Sequence, residues 1–169
     1  MPERLAGSGR RGVRLGAHGN KAARRAHGVE ACLVDSDEMV VSALDPADGR
    51  SCCLSVAGPA ALVVAKVHKI VDRSDEQRAR VRDKDALDVF RLLRAVGTND
   101  FHARFAKLGR SELAGEVTSA ALVHFARLFT DPSSEGVEMV VRATRPLVSA
   151  DEVRAACHLL GRELMDAAG

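Results

Sequence analysis

The order of hydrophobic patterns along this 169-residue chain predicts an α+β fold, with a small antiparallel sheet followed by an all-helical bundle. Three short apolar runs separated by polar turns come first, between residues 29 and 56. After Gly58 the apolar residues recur every three or four positions, which is the period of an amphipathic helix. We therefore expect about three strands and, after them, helices only.

The strands are predicted from alternation and from turn chemistry. The apolar runs cover 29–34, 39–44 and 51–56. The breaks at 35–38 and 45–49 are rich in the aspartate, glycine and proline that turns favour. Short breaks of this kind join neighbouring antiparallel strands, so the natural interpretation is a three-stranded meander.

Asp35 and Asp37 form a D-x-D pair in the first of these breaks. Two carboxylates at this spacing on a strand face the same side and can hold Mg²⁺. Because these two lie in a polar break and not inside an apolar run, we interpret them as turn residues.

Helical periodicity accounts for most of the chain after Gly58. Pro59 suits the first turn of a helix, and one apolar stripe follows it at helical spacing: Ala60, Val63, Val64, Val67, Ile70 and Val71. The mostly polar segment 74–82 is predicted to be an exposed loop. The later helices are predicted over 83–96, 100–108, 111–129, 134–144 and 150–167.

Charge is uneven along the chain although the net charge is only +2. Residues 1–28 carry seven arginines and lysines against a single acid, Glu3. We interpret 1–28 as a basic, disordered leader, and contact with RNA or DNA phosphates is the alternative. The rest divides into an α/β core at 29–97 and a helical region at 98–169.

Composition excludes several classes of protein. Aromatic residues make up 3% of the chain, which argues against stacking on single-stranded nucleic acid. The four cysteines have no C-x-x-C spacing, so we expect no structural zinc site. Lys66 interrupts the longest apolar run, so we expect no membrane partner. Reduced cysteines of this kind indicate a cytoplasmic protein.

Lys66 and Lys69 are the first candidates for a functional role. They share one flank of the helix that begins at Pro59. A lysine there can act as a point charge on a phosphate, or it can extend to water beside an apolar stripe. Asp85 and Asp88 lie three apart on the next helix, where the helix dipole alone would favour acids. From spacing alone, both the functional and the structural alternative stay open.

Two segments carry a family resemblance. They are AALVVAKVHKI at 60–70 and KDALDVFRLL at 84–93. The span 21–96, and more weakly the rest of the chain, resembles bacterial nucleotidyltransferase-like proteins, in particular the AbiEii-type toxins of type IV toxin–antitoxin systems. The resemblance implies transfer of NMP from an NTP to an acceptor such as tRNA. It also implies Mg²⁺ and NTP as cofactors and an antitoxin protein as a partner.

The resemblance assigns roles to five side chains. Lys66 is implied to contact nucleotide phosphates, with Lys69 and Lys84 beside it as further nucleotide-binding residues. Asp85 is implied to be a catalytic or lysine-orienting carboxylate, and Asp88 matches the second acid of the same motif. Lys84 replaces the arginine that is usual in the family.

The chain departs from the family in its N-terminal part. The family takes its metal site from a Gly-Gly or Gly-Ser turn and a D-x-D strand ahead of everything matched here, where this chain has a basic, glycine-rich leader. We assign no metal ligands, and we expect an incomplete, truncated nucleotidyltransferase-like fold with weak or no transfer activity. One alternative is a non-catalytic module that binds RNA or protein. Another is a fragment with an exposed first strand that a partner segment completes.

Overall fold

The computed structural model describes residues 1–2, 12–13, 16–19, 23–72 and 79–168, with side chains left out at 79–81. In these parts, two pairs of antiparallel strands precede six helices, which confirms the α+β class. The strands are β1 (Gly12–Val13), β2 (Ala23–Arg24), β3 (Ser36–Ser42) and β4 (Ser51–Ala57). The helices are α1 (Pro59–Val71), α2 (Ala79–Ala95), α3 (Thr98–Gly109), α4 (Gly115–Phe129), α5 (Glu135–Thr144) and α6 (Ala150–Ala168).

Strands β3 and β4 form a regular hairpin. Their register runs without interruption from Ser36 opposite Ala57 to Ser42 opposite Ser51. The turn between them is closed by side chains, because the Asp48 carboxylate accepts hydrogen bonds from the backbone and the guanidinium of Arg50. The strands predicted over 39–44 and 51–56 and the turn at 45–49 are confirmed as a hairpin, but β3 begins at Ser36, inside the predicted break 35–38, and ends at Ser42.

The predicted strand at 29–34 is wrong. Val29–Leu33 is a 3-10 helix, entered through Gly28 in the left-handed conformation at φ 82°. It packs against α1, and Ala31 is fully buried. The Ala31 carbonyl accepts the N–H groups of both Val34 and Asp35, which closes the segment on itself. Tertiary burial therefore overrides the β propensity of this apolar run, and the hairpin has no third strand within the described residues.

The described part of the leader is hydrogen-bonded, which the disordered interpretation did not anticipate. Strand β1 pairs with β2, so that Val13 lies opposite Ala23. The N-terminal ammonium of Met1 donates to the carbonyl of Arg24 at 3.0 Å. Most of the basic side chains of the leader lie outside the described residues.

The helices share one hydrophobic core. The α1 stripe is confirmed from Ala60 to Ile70, whereas Val71 at the end of the helix is 37% exposed. Helix α1 packs against α2 and α4, while α6 packs against α3, α4 and α5. All five phenylalanines are buried in this core: Phe90, Phe101, Phe105, Phe125 and Phe129.

Two helices begin four residues away from their predicted starts, whereas the starts of α3 and α5 differ by only one or two residues. Helix α2 begins at Ala79 and not at 83. Its first turn is held by Arg82, whose Nε donates to the Ile70 carbonyl at 3.2 Å and whose guanidinium meets Glu135 at 2.8 Å. Helix α4 begins at Gly115 and not at 111, because the Ser111 hydroxyl accepts the next backbone N–H groups and stabilises a turn there. Residues 74–78 of the predicted loop lie outside the described residues.

Candidate functional site

Helices α1 and α2 bring the predicted lysines and aspartates together. The Lys66 ammonium lies 3.0 Å from Asp85 Oδ1 and 2.6 Å from Asp88 Oδ2. Lys69 Nζ lies 2.7 Å from the same Asp85 oxygen. The spacing of three residues on each helix explains the meeting, since it places both lysines on one flank of α1 and both acids on the facing side of α2.

Arg91 adds a third cation that the sequence did not lead us to predict. Its guanidinium lies 3.4 Å from Asp88 Oδ1, one turn further along α2. The spacing of three between Asp88 and Arg91 was the signal that could have found it. We call Lys66, Lys69, Asp85, Asp88 and Arg91 together the α1–α2 ion cluster.

Exposure differs sharply across the cluster. The Asp85 side chain is 2% exposed and lies at its base, whereas Lys66 and Asp88 are about a quarter exposed. Lys69 is 39% exposed and Arg91 is 66% exposed. The cluster therefore has a buried acidic base and a cationic rim that reaches solvent.

Lys66 and Asp88 favour each other's ionised forms. Burial on its own would lower the pKa of Lys66, but the hydrogen bonds and charges of Asp88 and Asp85 outweigh it, and the net shift is upward. Burial on its own would raise the pKa of Asp88, but Lys66, with smaller effects from Arg91 and Lys84, makes the net shift downward. At neutral pH the cluster holds three cations and two carboxylates, so its formal charge is positive.

Exposed cations above a buried carboxylate can bind an anionic ligand. The acids hold the lysine side chains in fixed positions, which reduces the entropy that a flexible lysine loses when it binds a ligand. The exposed ammonium and guanidinium groups keep donors that can turn to a phosphate. The same contacts also join α1 to α2, so the cluster has a structural effect whether or not it binds a ligand.

Mg²⁺, which the resemblance implies, does not fit between these two carboxylates. The Lys66 ammonium already lies between Asp85 and Asp88 at hydrogen-bond distance from both. A divalent cation there would meet the charge of Lys66 and also that of Lys69, which is bound to Asp85. No chemical step is therefore assigned to a metal ion at these residues. Among the described residues, no group of three or more histidine, cysteine, aspartate or glutamate side chains is arranged to hold a metal ion.

Lys84 lies beside the cluster on α2, and its side chain is exposed. Its charge contributes to lowering the pKa of Asp88. Asp83, the other acid of this turn, points elsewhere and pairs with Arg142 of α5 at 2.7 Å. Of the five predicted site residues, four are in direct contact with one another, and Lys84 lies at the edge of the cluster.

Asp35 is more than the turn residue that we predicted. It lies at a bend but is only 1% exposed, and its Oδ2 accepts the N–H of Ala61 at 2.9 Å in the first turn of α1. That helix begins after Gly58, which has no side chain to cap it, so the distant carboxylate takes this role. A Cβ at Gly58 would collide with Asp35, which explains why glycine is needed there.

Arg104 of α3 completes this second charged group, which sequence patterns did not reveal. Its guanidinium lies 2.7 Å from Asp35, 2.9 Å from Asp37 and 3.0 Å from Asp100. Asp37 itself is in β3 and exposed, not in the turn where we placed it. The group ties the base of the hairpin to α1 and α3, and one guanidinium is shared by all three carboxylates.

Among the described residues, no helix combines the length and the apolar character that are needed to cross a membrane. No protein-family model matches the sequence, and no curated protein or solved structure is significantly similar to it. The fold and the α1–α2 ion cluster therefore stand on this chain's own residues.

Proposed function

We propose that this protein is nucleotidyltransferase-like and that the α1–α2 ion cluster binds the phosphate groups of a nucleoside triphosphate. The observation that supports the proposal is the meeting of Lys66 and Lys69 with Asp85 and Asp88 in one partly exposed cluster. These four residues come from the two segments that carry the family resemblance. The acceptor of the transferred NMP belongs to the same proposal, with tRNA as the candidate.

Each residue has a physical role in this proposal. Lys69 and Arg91 are exposed enough to bind phosphate oxygens directly. Lys66 is held more rigidly, because two carboxylates accept from its ammonium, and it supplies a fixed positive charge beneath them. Asp85 is a positioning residue, since it is buried and holds both lysines. The first step is thus electrostatic capture of the triphosphate.

The test is calorimetric titration of the full chain with an NTP that carries Mg²⁺ as its counter-ion. Lys69→Met removes one donor from the rim and leaves the contacts of Lys66 with both acids in place. We expect it to weaken NTP binding by about tenfold, the value of one charge-assisted hydrogen bond. Lys66→Met should weaken binding at least as much.

Lys107→Met is the matched control, because it removes a lysine that is exposed on α3 and lies outside the cluster. We expect it to bind NTP as the unmodified chain does. Equal affinity in Lys66→Met, Lys69→Met and the unmodified chain would contradict the proposal, and so would an equal loss in Lys107→Met. Incorporation of labelled NMP into tRNA then separates transfer from binding.

A second candidate, a non-catalytic protein-binding module, is favoured by one specific observation. The hairpin of β3 and β4 exposes several large apolar side chains, with Val40 at 68% and Met39 at 54%. Exposed apolar side chains gathered on one element mark an interaction surface. Failure of NTP to bind, together with self-association or partner binding through the hairpin, would favour this candidate.

A further inference from the structure

The exposed face of α2 carries a row of cations. Lys84, Arg91 and Arg94 follow one another at spacings of seven and three residues, which place them along one side of the helix. All three side chains are exposed. We call these three residues the α2 cationic ridge. Only Arg91 belongs to the α1–α2 ion cluster, so the ridge extends the positive rim of that cluster along the helix in both directions.

The acids of α2 are already paired within the fold. Asp83 pairs with an arginine of α5 at 2.7 Å, while Asp85 and Asp88 hold the lysines of α1. In the part of the chain that the structure describes, by contrast, neither Lys84 nor Arg94 has a carboxylate within ion-pair distance. The ridge therefore presents positive charge that the described part of the fold does not neutralise.

The chemistry of the ridge favours a polyanion over an acidic protein. Between Arg82 and Ala95, the described side chains of α2 include no exposed large hydrophobic residue. A protein interface needs a desolvated core of apolar and aromatic side chains, which this surface lacks. A phosphate backbone, by contrast, is bound mainly through cations, because the release of its condensed counter-ions supplies the free energy of binding.

The ridge suits a nucleic-acid duplex better than a single strand. Phe90, the one aromatic residue in the sequence of α2, is 6% exposed and lies 5.8 Å below the Arg94 guanidinium, so it offers no ring on which a base could stack. Lys84 and Arg94 are ten residues apart, which is about 15 Å along the helix. The same length of duplex axis carries about nine phosphate charges in a fixed array. Several of them can therefore be bound without ordering a flexible strand.

We propose that the α2 cationic ridge binds the phosphodiester backbone of a nucleic-acid duplex without selecting a base sequence. From Arg82 to Ala95 the helix has no asparagine, glutamine, serine or threonine that could read the edges of bases. RNA and DNA duplexes present the same phosphate chemistry, and the ridge can bind either. Because Arg94 lies outside the α1–α2 ion cluster, this inference does not rest on the binding of NTP there.

Titration of the full chain with a short labelled RNA duplex, and separately with a DNA duplex of the same sequence, tests the proposal. The dissociation constant is measured between about 50 and 200 mM salt. Arg94→Gln and Lys84→Gln each remove one phosphate contact, and glutamine keeps the helix intact. We expect each variant to bind about tenfold more weakly at the lowest salt, and to reduce the slope of log K against log salt by about one.

Arg127→Gln is the matched control, because it makes the same exchange at an exposed arginine of α4. We expect it to bind both duplexes as the unmodified chain does. The basic leader is present in every chain compared, so its own contribution cancels. Arg94→Gln should also bind NTP as the unmodified chain does, which separates this proposal from nucleotide binding at the ion cluster.

The outcomes are distinct. Binding of either duplex that Arg94→Gln and Lys84→Gln weaken and Arg127→Gln does not weaken would support the proposal and show which nucleic acid is bound. An unmodified chain that binds neither duplex would overturn it. Equal losses in all three variants, no loss in Arg94→Gln and Lys84→Gln, or tighter binding of a single strand of the same sequence would overturn it as well.

Discussion

His68 is a buried side chain that the α1–α2 ion cluster does not use. Its Nε2 lies 2.8 Å from the carbonyl oxygen of Val117, and since a carbonyl only accepts, Nε2 carries the proton. The rings of His27 and His124 lie 4.4 and 6.1 Å away, centroid to centroid. Burial is the largest cause that lowers the pKa of His68; the two histidines act in the same direction, while Val117 and Asp72 oppose them.

The folded-state pKa of His68 therefore lies below its ordinary value of 6.5. A lowered histidine pKa means that the folded state favours the neutral ring, so this stabilisation is complete above pH 6.5 and is lost as the pH falls through the folded pKa. We expect His68→Gln to show a shallower loss of stability between about pH 7.5 and 5 than the unmodified chain. Urea unfolding at each pH measures it, and parallel pH profiles for the two chains would contradict the prediction.

Charged residues also show which individual side chains local sequence patterns can identify and which they cannot. Lys66 and Asp85 were predictable as candidates, because both are placed by helical spacing that is visible in the sequence. Asp35 was not, because its importance comes from a helix start 26 residues away and from Arg104, 69 residues away. Local spacing carries no information about partners at such separations.

At the scale of the elements, two glycines set how closely the C-terminal helices pack. A Cβ at Gly161 of α6 would run into the backbone carbonyl of Phe129 at the end of α4. Gly136 of α5 is in a similar position against the carbonyl of Leu128. The obstacle in each case is backbone, which cannot turn aside as a flexible side chain can. Both helices therefore approach the end of α4 only because these residues lack side chains.

Gly161→Ala should destabilise the protein even though alanine is the better helix former. The gain in helix propensity is about 1 kcal/mol, whereas forcing the two backbones apart costs about 1–3 kcal/mol and loosens the packing around Phe129. We expect a net loss of up to about 2 kcal/mol in the free energy of unfolding by urea.

Gly109→Ala, at the end of α3, is the control for this substitution. Nothing lies within 4 Å of a Cβ placed at Gly109. We expect its stability to be unchanged or slightly raised. If Gly161→Ala were as stable as Gly109→Ala, close contact of α6 with α4 would not contribute to stability.

At the scale of the whole molecule, a packed helical core contrasts with an open hairpin. One continuous hydrophobic cluster runs from Ala31 to Leu164 and includes residues of all six described helices. Strands β3 and β4, by contrast, pack mostly against each other; β4 also contacts the 3-10 helix Val29–Leu33, and Asp37 of β3 pairs with Arg104 of α3. The two regions should therefore differ in how readily solvent and reagents reach their side chains.

Three of the four cysteines test this contrast directly. Cys157 is fully buried in α6, and burial raises the pKa of its thiol to about 12, so it is protected both sterically and chemically. Cys52 and Cys53 are exposed on the hairpin. With a thiol reagent at pH 8 and low protein concentration, we expect the two hairpin thiols to react first and Cys157 to react only on unfolding.

Single cysteine-to-serine variants assign the phases of this reaction. Cys52→Ser and Cys53→Ser should each remove half of the fast phase, and Cys157→Ser should leave the fast phase intact. A Cys157 thiol that reacts as fast as the hairpin thiols in the native protein would show that α6 is not packed as described.

The sequence by itself determined the helices, the β3–β4 hairpin and the α+β class, because helical period, strand alternation and turn chemistry are local properties of the chain. It also indicated the flanks of α1 and α2 on which the ion cluster lies. Only the tertiary structure decided that 29–33 is a 3-10 helix and that Asp35 is buried beside Arg104. It also decided that the Lys66 ammonium lies between two carboxylates. These outcomes depend on burial and on contacts between residues far apart in the chain, which no local pattern encodes.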